Sequence, residues 1–336
     1  MAELLNQTSR RSFCSAVLFV IAVLTSMPGT GVISLHAQQS DTAAARATTG
    51  WKAFEEGRFD EASSLLEQAV QLAPRNADYV AALGEVEVKM GRQDAAIDNF
   101  KKAVLLKPSD PEFRLNLAEL LQKKGNDQEA LEILHGTPSP ALADAWHFTR
   151  GFSLFRLGRL APASEQFKLV LPKRQFTAPA SFFLGNANYM QGQFAAAEPY
   201  LAKAVELGNV PGNKAYNVYT YDYGLVLFKL GKFADAAQQF KASIAQYDAD
   251  PLPWMFLGRC EEALGNYSEA IAMLETSTQK DSSFQLADYE LARLQQRHGD
   301  PNRAAELFKK LGTMKEEEVS KEQERAMKLK TAPRPE

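Results

Sequence analysis

Apolar residues between positions 43 and 313 recur at the three-and-four spacing of amphipathic helices, and glycine punctuates them at near-regular intervals. Gly57, Gly91, Gly125, Gly158, Gly192, Gly231, Gly265 and Gly299 each close one such stretch, at spacings of 34, 34, 33, 34, 39, 34 and 34 residues. Five positions after each glycine stands an alanine: Ala62, Ala96, Ala130, Ala163, Ala197, Ala236, Ala270 and Ala304. Four positions further comes a bulky apolar residue: Leu66, Phe100, Leu134, Phe167, Leu201, Phe240, Leu274 and Phe308. Seven positions before each glycine is a small residue: Gly50, Gly84, Ala118, Gly151, Gly185, Gly224, Gly258 and Ala292. Four residue classes in phase eight times predict eight copies of a helix–turn–helix hairpin.

Each class has a physical reason. The recurring glycine suits a left-handed backbone at the end of the first helix. The small residue lets the second helix come close, the alanine receives it, and the bulky residue fills the space beneath. Pro74, Pro108 and Pro251 mark breaks before a following repeat, because proline disfavours helix in the residue before it. A lone hairpin cannot bury its apolar faces, whereas stacked hairpins can.

The clearest copy, WMFLGRCEEALGNYSEAIAML from Trp254 to Leu274, carries Trp254, Leu257, Gly258, Gly265, Tyr267 and Ala270 in register. This pattern resembles the tetratricopeptide repeat family, in period and in its aromatic, Leu-Gly, Gly-aromatic, alanine, bulky and proline positions. The resemblance implies an all-α fold, a superhelix (helical solenoid) of α-α hairpins. Its eight repeats span 43–76, 77–110, 111–140, 144–176, 178–211, 217–250, 251–284 and 285–313. Three departures stand out: repeat three ends early at Pro138-Ser139-Pro140, repeat eight has Pro301 in place of an aromatic, and five extra residues separate repeats five and six. There Tyr216, Tyr219 and Tyr223 share a helical face, either extending a contact surface or packing a lengthened helix.

The ends differ in composition. Arg10 and Arg11 precede an apolar block from Phe13 to Thr25, broken by Pro28 and Gly29, with the small residue Ala37 before a polar run. Residues 1–37 have the layout of a secretory signal peptide, and Ser9-Arg10-Arg11-Ser12-Phe13 resembles a twin-arginine export signal. An uncleaved N-terminal membrane anchor is the alternative, if Val32, Ile33 and Leu35 prolong the block toward the roughly 20 residues a spanning helix needs. Residues 38–42 read as a polar linker, and residues 314–336 as a charged capping helix and tail. The expected location is the periplasm or the exterior, or the membrane if the segment is retained.

Charge and chemistry narrow the function. The net charge of −3 gives no general attraction to nucleic acid. The two cysteines are Cys14 and Cys260; if the leader is removed only Cys260 remains, which excludes an internal disulfide, and it reads as a small buried residue. No spacing of His36, His135, His147 and His298 suggests a metal site, no glycine-rich phosphate loop or Gly-x-Ser-x-Gly elbow occurs, and neither catalytic residues nor cofactors are expected.

In tetratricopeptide superhelices the first helices line a concave groove. The resemblance places three zones there. The first is acidic with interleaved lysines: Trp51, Phe54, Glu55, Asp78, Glu85, Lys89, Glu112, Glu119 and Lys123. The second is aromatic: Phe148, Phe152, Phe155, Phe182, Asn186, Tyr189, Met190, Tyr221, Leu225 and Phe228. The third is basic: Met255, Arg259, Tyr289, Arg293 and Arg297. Two arrangements are open: the aromatics line the groove, or they do not, because the register is off by a residue or because the superhelix is tight and they pack against neighbouring first helices. Asn186 stands at a position some family members use to clamp a peptide carboxylate, but the lysine and second asparagine of that clamp are not evident. The reading is an exported, non-catalytic scaffold holding a protein or peptide in an aromatic-lined groove. One alternative is a membrane-tethered envelope assembly factor docking secretion, pilus or wall machinery. A second is a solenoid-based carbohydrate- or peptide-processing enzyme, which would need clustered acids in one pocket.

Overall fold

The computed structural model describes residues 31–170 and 177–315, with side chains from residue 42 onward. These residues form two compact halves, one within 1–176 and the other within 177–336. The first half contains α1 (Gly31–Glu55), α2 (Phe59–Leu72), α3 (Ala77–Lys89), α4 (Gln93–Leu106), α5 (Pro111–Lys123), α6 (Asp127–Ile133), α7 (Ala143–Arg156) and α8 (Leu160–Val170). The second contains α9 (Thr177–Met190), α10 (Phe194–Gly208), α11 (Tyr216–Lys229), α12 (Phe233–Gln246), α13 (Pro251–Ala263), α14 (Tyr267–Lys280), α15 (Gln285–His298) and α16 (301–315). Every described element is a helix, and the helices pair into the eight expected hairpins. The apolar leader and the charged C-terminal segment expected from the sequence lie largely outside the described residues.

The phase of the repeat is visible in the packing. The eight recurring alanines are all buried, and so are the bulky residues from Leu66 to Leu274. What meets the small residue of the first helix is this bulky side chain: a Cβ on Gly185 would stand 2.6 Å from Cγ of Leu201, and one on Gly151 would stand 2.8 Å from the Phe167 ring. Close approach therefore depends on the bulky residue as much as on the alanine. The cores pass from hairpin to hairpin. Leu66 of α2 packs with Leu83 and Val86 of α3. Leu201 of α10 packs with Tyr219 and Val226 of α11, and Phe240 of α12 with Leu257 and Cys260 of α13. Each cluster joins one hairpin to the first helix of the next, which is why an isolated copy would leave apolar surface in water. Asn76 caps α3, and Asp110 and Asp250 cap α5 and α13, each of which begins with proline, a residue whose missing N–H costs nothing at the first helical position.

Three details depart from expectation. α1 runs back to Gly31, so residues 38–42 are helical rather than a linker, in keeping with an alanine- and glutamine-rich segment that no proline or glycine interrupts before Gly50. The first seven recurring glycines have φ between +71° and +86°, but Gly299 has φ −136°. There the Gln295 side chain folds back and its Oε1 accepts the Asp300 N–H at 2.8 Å, doing the capping that the left-handed turn does elsewhere. The five inserted residues do not lengthen α11, which has 14 residues; they fall in the loop 209–215, where Asn213 Nδ2 donates to the Gly208 carbonyl at 2.7 Å. Tyr219 is buried against Phe182, so it packs and adds nothing to an exposed surface. Repeat three is short as expected, α6 having only seven residues.

Candidate partner-binding face

The residues singled out in the first half sit on the first helices α1, α3, α5 and α7. On α7, Phe148 is 4% exposed and packs on Phe167 of α8, with ring centroids 5.9 Å apart. It belongs to the hairpin core. Phe152 stacks beside it at 6.4 Å, half-buried, with the Arg156 guanidinium over its ring at 5.8 Å. Phe155 is also half-buried. Among the acids, Glu85 of α3 is half-buried, and burial with Glu112 close by raises its pKa to about 8, against the pull of Lys89. Burial raises Glu119 of α5 to about 7, opposed by Lys123. Glu112 is shifted the same way, by burial and then by Asp110. The acidic zone thus carries less negative charge at neutral pH than its composition suggests.

In the second half, Phe182 of α9 is 9% exposed and its ring lies 4.7 Å from Tyr219, so it is a core residue. Met255, expected in the groove, is fully buried; its neighbour Phe256 faces the aromatic row instead. The remaining aromatics form a half-buried row along α9, α11 and α13. Tyr189 packs on Phe194 at 5.4 Å, Tyr221 meets Phe256 at 6.1 Å, and Phe228 meets Phe256 at 5.7 Å. Met190 is 59% exposed beside them. Neither sequence alternative is met alone: Phe148 and Phe182 pack inward, while Phe152, Phe155, Tyr189, Tyr221 and Phe228 keep an open edge.

Polar groups complete this face. Asn186 Nδ2 of α9 donates to Asp222 Oδ2 of α11 at 2.8 Å, joining the two first helices. Burial lifts the Asp222 pKa to about 6, although the Asn186 hydrogen bond opposes it. Asp222 was not among the sequence candidates, because it is one position past the expected register, next to Tyr221. Arg259 of α13 lies over the Phe228 ring at 4.9 Å and the Phe256 ring at 5.7 Å. Its Nε is 3.6 Å from Glu290 of α15, and Arg293 pairs with both Glu262 and Glu290. The zone expected to be basic is therefore partly neutralised, with Arg297 on the exposed side of α15. His147 meets the Gln166 side chain, and His298 stacks on Tyr267. Among the described residues no group of His, Cys, Asp and Glu is arranged to hold a metal ion.

Comparisons place this arrangement. Models of the tetratricopeptide repeat match residues 53–98, 148–214 and 221–283, and a model described as TPR repeat matches residues 84–125. The fold is similar to the C-terminal part of a TPR repeat-containing protein from Cytophaga hutchinsonii, at 14% identity and TM-score 0.53, over 68% of this chain and 92% of that one. It is similar to a tetratricopeptide repeat protein from Parabacteroides merdae, at 15% identity and TM-score 0.50, over 76% of this chain and 98% of that one. It is also similar to a chain of the APC/C hetero-tetramer Cut9–Hcn1, at 15% identity and TM-score 0.51, over 78% of this chain and 52% of that one. No curated protein matches the chain. With the period, the glycine–alanine–bulky register and the hairpin packing all in agreement with these matches, the chain belongs to the tetratricopeptide repeat family.

Proposed function

We propose that this protein is an exported, non-catalytic scaffold that holds a protein partner through an extended or helical peptide segment laid on the first helices of its second half. The observation that carries the reading is the open aromatic row of Tyr189, Tyr221, Phe228 and Phe256, flanked by exposed Met190 and interrupted by single polar groups at Asp222 and Arg259. Apolar ring surface supplies anchoring area, and isolated charges set the direction of a bound segment. On the first half, Phe152 and Phe155 are half-buried aromatics of similar chemistry. Export rests on the leader-like composition of residues 1–37, which lie largely outside the described residues; among the described residues no helix is long and apolar enough to cross a membrane.

Two measurements test the reading. Affinity capture with the full chain and with Met190→Glu/Phe228→Ser, after equal melting temperatures are verified, is expected to recover partners with the first and lose them with the second. Equal recovery removes the aromatic row as the contact surface. Fractionation with N-terminal sequencing is expected to find a soluble product lacking the leader; an intact chain in the membrane fraction supports the tethered alternative.

A further inference from the structure

We propose that Asp222, Asn186, Tyr189 and Tyr221 form a receptor for a cationic side chain, lysine or arginine, carried by the bound peptide. The proposal rests on the peptide-binding reading above and adds the chemistry of the partner.

Asp222 is a half-buried carboxylate set among aromatic rings, and its one hydrogen-bond partner among the described residues is the neutral Asn186 amide. Three other poorly exposed carboxylates of this half are matched by cations, Asp288 by Lys310, Glu261 by Lys241, and Glu290 by Arg259 and Arg293, while half-buried Asp250 is occupied in capping α13. Among the described residues Asp222 has no such cation. A carboxylate removed from water without a counter-charge is disfavoured, and a cation arriving beside it recovers that cost. Because Asn186 donates through Nδ2, its amide oxygen remains as an acceptor. Burial first, and then the Asp222 charge, hold the Tyr189 and Tyr221 hydroxyls above their ordinary pKa. Carboxylate, amide oxygen and phenol oxygens together suit an ammonium or guanidinium, whose donors fan outward.

The rings select the same class. Aromatic faces attract organic cations, and this row already seats one: Arg259 over Phe228 and Phe256. Tyr221 touches Phe256 at 6.1 Å, so the row continues from the occupied end to Asp222. A divalent metal is a poor match, since one carboxylate with neutral oxygens falls short of the six to eight ligands calcium takes.

The probes are four pools of blocked synthetic peptides, randomised around one fixed central residue: lysine, arginine, norleucine or glutamate. Each pool is passed over the immobilised full chain, and the retained peptides are sequenced and counted. Wild type is expected to retain the lysine and arginine pools roughly tenfold or more over the other two, a charge-assisted hydrogen bond's worth of preference. Asp222→Asn, nearly isosteric, is expected to lose that preference while still retaining aromatic-bearing peptides. Asn186→Lys, which supplies a cation from within, is expected to lose it as well, and either variant suffices if the other fails to fold. If wild type retains peptides with no preference for a basic centre, or if a folded Asp222→Asn keeps the preference, the receptor is overturned and the peptide-binding reading stands. If wild type retains no pool above Met190→Glu/Phe228→Ser, both readings fall together.

Discussion

A Cβ placed on Gly224 of α11 would stand 2.8 Å from Cε1 of Phe240 and 3.0 Å from two further atoms of the same ring. Phe240 is fully buried between α11, α12 and α13, so the ring has nowhere to go. The glycine and the phenylalanine are one steric unit repeated down the chain, with leucine in place of phenylalanine at Leu66, Leu201 and Leu274.

Gly224→Ala is therefore expected to destabilise the protein, even though alanine is the better helix former by about 1 kcal/mol. Overpacking of a filled core costs about 1–3 kcal/mol, and here the neighbour is rigid. A net loss of up to about 2 kcal/mol in urea titration is the expected outcome. Phe240→Leu in the same chain should recover part of it, because Ala118 and Leu134 already coexist in repeat three, both fully buried. A stabilising Gly224→Ala would show that the hairpin gives way and that the recurring small residue has another cause.

The repeat was legible because its signals are local: helix period, turn glycine and a contact fixed by a constant offset along one hairpin. The fate of the aromatics was not, because it depends on how each hairpin is rotated against the next. Phe148 and Phe152 are one helical turn apart on α7, yet the first is core and the second half-open. Met255, expected in the groove, is buried, and the next residue, Phe256, meets the aromatic row; one position, at 100° per residue, carries a side chain from the surface into the core. Arg259 and Arg293 read as free positive charge in a linear sequence because their partner Glu290 lies on another helix or on the turn before. Gly299 matched the register and still proved different, since the Gln295 side chain that caps the turn is not a class the repeat specifies.

That last difference gives a second test. A Cβ at Gly299 would overlap Gln295 Oε1, so Gly299→Ala must displace the amide that accepts the Asp300 N–H. At Gly231 the same substitution meets no neighbour and costs only the left-handed backbone, about 1 kcal/mol. Adding Gln295→Ala should leave the Gly231→Ala penalty unchanged but make Gly299→Ala nearly silent. Urea midpoints of the five variants (Gly299→Ala, Gly231→Ala, Gln295→Ala and the two combinations with Gln295→Ala) decide it: independent, additive effects at 295 and 299 would contradict the shared cap.

The last hairpin is held by a pair that is strongly unequal in exposure. Asp288 of α15 is 2% exposed and receives Lys310 Nζ of α16 at 2.6 Å, while Lys310 keeps contact with water. Removing the lysine strands a buried charge, whereas removing the acid leaves a cation that solvent can take up. Lys310→Met is accordingly expected to cost about 3–5 kcal/mol and Asp288→Asn clearly less, read from denaturant midpoints of the second half. Equal losses would mean that the pair acts as a surface bridge.

The half-buried acids of the first half predict an unusual pH response. Glu85 and Glu119 have folded pKa values raised to about 8 and about 7 from an ordinary 4.5, with Glu112 shifted the same way. Between pH 4.5 and 8 the folded state then binds more protons than the unfolded chain, so stability falls as pH rises through that window and recovers on acidification. The carboxyls shifted downward, Glu56, Asp248 and Asp281, act in the opposite sense only below their ordinary values of 4.5 and 3.8. Thermal unfolding from pH 8 to 5 should therefore show a rising melting temperature. In Glu85→Gln/Glu119→Gln, which replaces the ionisable groups with neutral ones of similar shape, the rise should shrink and the value at pH 8 should exceed that of wild type. A wild-type melting temperature that is flat or falls on acidification to pH 5 would place these carboxyls in water, and the acidic zone would then present its full charge to a partner.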